Sequence, residues 1–144
     1  MSQGVTDRLV LDGSLALAWY FADEANPYAD AVAKGLATRE AVVPSLWRLE
    51  IANTLVVGER RKRSTQAQAA AFVARLELLP IVIDNETDVR AWGETIRLAR
   101  AHTLSAYDAA YLELAMRRGL PLASLDDRLK AAALAIGVPL FTAK

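Results

Sequence analysis

The chain contains no cysteine and a single histidine, His102. The first absence excludes a disulfide framework, thiolate zinc sites and thiol nucleophiles, and is compatible with a reducing compartment. The second excludes a multi-histidine metal cluster. Net charge is lacking too: 17 basic and 17 acidic side chains cancel, so the whole molecule has no field to draw it to nucleic acid or to an anionic membrane. Any polyanion site must be local. No run reaches the roughly 18 apolar residues of a membrane span, and the opening MSQGVTDR lacks a basic region followed by an apolar stretch. The reading is a cytoplasmic protein without a membrane segment. What is present is ordinary for a folded chain: 144 residues, 53% hydrophobic and 24% charged. That suits one domain over 1–144, burying about two-thirds of its unfolded surface.

Apolar runs alternate with helical patterns. Leu9 to Leu11 reads as a strand that ends at Asp12-Gly13 and leads into a helix from Ser14 to about Phe21. Asn26 caps a helix through Leu36, and the strand Ala41 to Val43 stops at Pro44. A long helix from about Ser45 to Arg61 follows, and Ser64 is expected to cap another to about Leu78. The strand Ile81 to Ile83 precedes a helix capped by Asn85 and running to about Ala101. Ser105 starts a helix to Arg118, closed by Gly119; Leu120 to Ser124 reads as strand, and Asp126 starts a helix that Gly137 ends before Val138 to Phe141. Short strands without clean alternation, separated by helices, indicate a parallel sheet covered on both faces, an α/β domain of three layers, α/β/α. Ligands of such sheets bind outside the carboxyl ends of the strands. Asp12 and Asp126 both fall there.

Two more acids are badly placed for solvent. Around Glu50 the helix is apolar almost all round, with Leu46, Trp47 and Val57 as angular neighbours and Asn53 one turn on. On the wheel drawn from Ser105, Glu113 and Arg117 take the polar side and Asp108 lies nearly opposite, between Leu112 and Ala115. Each acid also has a plain structural reading. Ser105 to Asp108 resembles a capping box, Asp126 suits an N-cap, Asp12 before glycine suits a turn, and Glu50 has the option of an arginine partner. Together they demand more: four such carboxylates, with few buried bases to pair them, suggest one shared compensator, most simply a divalent cation. Oxygen-only donors suit Mg²⁺ or Mn²⁺. Such an ion leaves room for a phosphate oxygen and an attacking water, which suits phosphodiester hydrolysis.

The segments VLDGS (10–14), VPSLWRLEIANTL (43–55) and LSAYDAAYLELAMRRGLPLASLDDRL (104–129) resemble the PIN-domain family, in particular the VapC-type toxin ribonucleases of bacterial toxin–antitoxin pairs. The resemblance implies a three-layer α/β/α fold and a metal-dependent endoribonuclease with an acidic site built from distant segments. By position in the motifs, Asp12, Glu50, Asp108 and Asp126 match the family's four acids, as catalytic residues and metal ligands. Ser14 matches the small hydroxyl residue two places after the first aspartate, and Ser124 the one before the last acid. Asn53 is a candidate for orienting Glu50, and Asp127 an alternative to Asp126 as fourth acid, better explained by the helix dipole. The resemblance further implies a homodimer, an RNA substrate and a cognate antitoxin protein.

Other features have plainer readings. Arg60-Arg61-Lys62-Arg63 suits RNA phosphates but equally a helix C-terminus, where cations are favoured. His102 reads as solvated or capping, and Trp19, Tyr20, Trp47 and Trp92 as helix residues at core-like positions. The expected function is therefore a Mg²⁺- or Mn²⁺-dependent endoribonuclease. The alternatives are a catalytically inactive PIN-like module that binds RNA or protein, and a phosphatase using Asp12 as nucleophile. Against the last, Ser14 stands where such enzymes often carry a second aspartate.

Overall fold

The computed structural model describes residues 7–143. Four strands form one parallel sheet: β1 (Asp7–Leu11), β2 (Arg39–Pro44), β3 (Ile81–Asp84) and β4 (Leu122–Ala123), in the order β3-β2-β1-β4. Leu9 to Leu11 and Ala41 to Val43 are fully buried, the continuous apolar runs expected of strands covered on both faces. The strand expected over Val138 to Phe141 is reduced to a bridge between Leu122 and Leu140.

The helices among the described residues are α1 (Gly13–Leu17), α2 (Pro27–Gly35), α3 (Trp47–Arg60), α4 (Gln66–Glu77), α5 (Thr87–Arg90), α6 (Ile96–His102), α7 (Ala106–Arg118) and α8 (Asp127–Ala135). Local chemistry sets many of their ends. Asn26 accepts from the Tyr28 and Ala29 N–H groups while Pro27 opens α2. Gly119 ends α7 in the left-handed region at φ 64°. Two expected caps differ. Thr65, not Ser64, caps α4, in a reciprocal capping box with Gln68. Asn85 caps nothing, because the Asp84 carboxylate takes the Glu86 N–H and makes the turn itself. The long helix expected after it is split into α5, a π-helical turn (Ala91–Thr95) and α6. A π turn inserts an extra residue, and Trp92 within it stands 91% exposed, so its core-like reading is corrected.

Crossovers between parallel strands are right-handed. The chain steps from β1 to β2 to β3 in one direction, then returns past β1 to β4. The α1–α4 connections therefore lie on one face of the sheet and α5–α8 on the other, giving the three layers. The direction reverses between β1 and β4, and the carboxyl ends of these two neighbours border the crevice where such sheets bind ligands.

Candidate active site

Asp12 stands at that reversal. Its backbone N–H bonds the Ala123 carbonyl at 3.0 Å, which ties the end of β1 to β4. The side chain caps α1 and is 5% exposed. Oδ2 accepts from Ser14 Oγ at 2.8 Å and from Ser124 Oγ at 2.7 Å. Burial pushes the carboxyl above the usual aspartate value; the Ser124 and Ser14 bonds work against that rise, and nearby Asp126 adds to it. Ser124 also accepts the Asp126 N–H at 3.0 Å. Asp126 itself caps α8 through the Leu129 N–H at 3.0 Å. Its capping role and its place beside Asp12 are thus compatible.

Glu50 and Asp108 arrive from opposite faces of the sheet. Glu50 lies in the first turn of α3, half-buried, and its Oε1 accepts the Tyr111 hydroxyl proton. Burial raises it, the Tyr111 bond opposes, and the charges of Asp12 and Asp108 raise it further, so that it is pushed up to about 7. Asp108 is half-buried in the first turn of α7. Burial again lifts its carboxyl, helped by Asp12 and Asp126, with the Ser105 hydroxyl opposing. The capping box expected there is half formed. Ser105 Oγ accepts the Asp108 N–H at 3.0 Å, and the Asp108 carboxylate is left for the site. Among the described residues no lysine or arginine forms an ion pair with Asp12, Glu50, Asp108 or Asp126.

Two candidates stand outside this group. Asn53 is exposed. The buried stripe of α3 is Trp47, Ile51, Leu55 and Gly58; at about 100° per residue Glu50 borders it, and Asn53 lies a further ~60° round, facing water. Asp127 has a side chain 97% exposed, 3.4 Å from Lys130, as its position in a first helical turn suggests.

Another acid was overlooked. Asp84, at the carboxyl end of β3, is 5% exposed and receives two bonds from Arg117, at 3.1 and 2.7 Å. Arg117 also binds Glu113 at 2.8 and 3.1 Å, and Glu113 is 4% exposed rather than on a polar face. The reason is the second layer: α6 and the π turn pack against α7 and cover its charged side. Burial would raise Asp84, but the Arg117 and Arg118 charges and the Glu86 N–H hold it below the usual range. Asp84 is what a compensated strand-end acid looks like, and Asp12 is the opposite case. The basic run is similarly engaged at Arg63, which bonds Asp23 and Glu24 and stacks 3.9 Å above the Phe21 ring.

Tyr111 was also missed. It reads as one more apolar residue of α7, and it is fully buried, yet its hydroxyl joins the site. A tyrosine one turn after an inward acid was the available signal.

Among solved structures, PAE2754 from Pyrobaculum aerophilum is similar at 26% identity and a TM-score of 0.62, with 88% of this chain and 86% of that one covered. VapC20 from Mycobacterium tuberculosis, a sarcin-ricin loop cleaving toxin, matches at 16% identity and 0.58, over 86% and 94%. FitAcB from Neisseria gonorrhoeae matches at 16% and 0.60, over 93% and 96%. These last two likenesses speak for the fold alone. No curated protein matches the chain in sequence. The family model described as PIN domain matches residues 9–134. With that span taking in all four acids, the chain belongs to the PIN domain family.

Proposed function

We propose that the chain is a Mg²⁺- or Mn²⁺-dependent endoribonuclease, the toxin of a toxin–antitoxin pair. One observation carries the reading: four acids from β1, α3, α7 and the β4–α8 junction lie near the reversal point of the sheet without a cationic partner. Left alone they oppose one another's ionisation, which a divalent cation relieves. The donor set fits such an ion in kind, being oxygen only. Among the described residues no three acids or histidines already form a cluster that could hold a metal. Mg²⁺ does not require one, since it keeps several waters and takes one or two carboxylates. Asp12, Glu50 and Asp108 would hold it, directly or through its waters, with Asp126 completing the site.

When bound, the ion supplies Lewis acidity toward a phosphoryl oxygen and lowers the pKa of a water. The chain does the rest. Ser14 and Ser124 fix the Asp12 carboxylate in one orientation. Asp126 and Ser124 join the α8 N-terminus to the same point. PIN-family membership and the fold shared with VapC20 support nuclease chemistry; the toxin role, the antitoxin partner and the homodimer are what the family resemblance implies, and the cytoplasmic setting is the expectation from the sequence.

The test is cleavage of a mixed RNA pool by purified, antitoxin-free protein with Mg²⁺, with Mn²⁺ and with chelator, alongside Asp12→Asn and Asp108→Asn. Wild type should cut only with metal and both variants should lose at least about a hundredfold, the scale of a group acting on the reaction. Equal behaviour of all three proteins rejects the reading and puts the non-cutting binding module first.

A further inference from the structure

We infer that Tyr111 is a positioning residue, whose hydroxyl clamps Glu50 against the turn that carries Asp12. The inference rests on the proposed reading of the acidic site. Tyr111 follows Asp108 by one helical turn of α7, so both side chains leave the helix toward the same side. The phenol is fully buried. Its oxygen accepts the Gly13 N–H at 3.4 Å, and its proton goes to Glu50 Oε1. Two segments, 98 and 61 residues away in sequence, therefore meet α7 at one oxygen atom.

Gly13 gives a second, separate sign. A β-carbon there would lie 3.3 Å from Tyr111 Oη and 3.4 Å from Glu50 Oε1. The backbone of the β1–α1 junction thus lies tight against this pair, and a β-carbon fits only if the phenol oxygen gives way slightly; the constraint is one of space, not of an unusual φ. The bond engages one oxygen of the carboxylate and leaves Oε2 for other partners. Without it, a half-buried glutamate has several rotamers to choose from, and it repels Asp12 and Asp108 away from a common centre. Partners of this kind, which hold a ligand without touching the ion, cost about ten- to a hundredfold in metal affinity when removed.

Tyr111→Phe deletes the oxygen and keeps the ring. Mn²⁺ titration followed by electron paramagnetic resonance, with no RNA present, should show about tenfold weaker binding or worse, while circular dichroism shows the fold intact. Cleavage by the variant should recover at high Mn²⁺. Gly13→Ala, which crowds the same pair from the other side, should weaken Mn²⁺ binding in the same direction. If both variants bind Mn²⁺ as tightly as wild type, the hydroxyl is core filling and the inference is overturned. If wild type binds no Mn²⁺ at all, the reading of the acidic site fails and takes the inference with it.

Discussion

Ser124 accepts a backbone proton from Asp126, so its own must go to Asp12. One hydroxyl thereby decides which oxygen of a buried carboxylate is occupied. Glu50 lacks such help beyond Tyr111, and its elevated pKa has a consequence for stability. A folded pKa of about 7 against the ordinary 4.5 means that the native state keeps a proton the unfolded chain has lost. Stability is then greatest at low pH within this window and falls as pH rises from 4.5 to about 7. Asp12 and Asp108, also raised, act in the same sense. Thermal midpoints in chelator, taken from pH 5 to 7.5, should decline, and Glu50→Gln should flatten the decline. Added Mn²⁺ should offset it in the wild type. A Glu50→Gln protein with an undiminished slope rejects the account.

At the scale of elements, α7 carries two charge systems with opposite logic. Its first turn presents Asp108 to the site, and its last presents Arg117 to Asp84 and Glu113. The sequence wheel showed the first and mistook the second, because it cannot tell a face turned to water from one roofed by another helix. The Arg117 side chain is only 15% exposed. Arg117→Ala leaves two buried carboxylates without a partner and should cost about 3–5 kcal/mol in urea unfolding. A loss under about 1 kcal/mol would mean that the cluster behaves like an exposed ion pair. Asp84 has its pKa lowered in the fold, so its contribution is present above the ordinary 3.8 and fades as pH falls through the lower native value. Strand positions were legible because parallel strands need continuous apolar runs. The caps of α4 and α5 were not, since Ser64 and Thr65, or Asn85 and its neighbours, are equal candidates until backbone geometry chooses. The π turn leaves no mark in periodicity at all.

Across the whole molecule, the positions of Asp12 and Asp126 at strand ends and of Glu50 and Asp108 on helices were readable from pattern and motif together, whereas the buried Asp84 and Glu113 were not. The exposure of Asn53 was not, because it depends on where the rest of the fold leaves α3 uncovered. Charge balance carries a prediction of its own. Among the described residues Arg8, Arg63, Arg90, Arg97, Arg117, Arg118 and Lys130 are engaged in ion pairs, none of them with the four site acids, so few phosphate contacts are expected beside the site. Single-stranded RNA held through two or three phosphate contacts should lose only about tenfold in affinity between 50 and 200 mM salt. Fluorescence anisotropy with Asp108→Asn, which should bind without cutting, reads this directly. A loss of about one to a few hundredfold would instead mean five or six contacts, the number reached if Arg60, Arg61 and Lys62 engage the RNA.

The bond between Asp12 and Ser124 spans 112 residues. β1 pairs with β2 on one side and with β4 on the other, so in a growing chain its second edge has no strand to pair with until β4 has been made. A ribosome-bound chain that stops short of that segment lacks both the last acid and the serine that orients the first. If the chain cuts RNA as proposed, copies that stop short of residue 126 should not cut, and truncation before that point should silence the protein without any change to Asp12, Glu50 or Asp108.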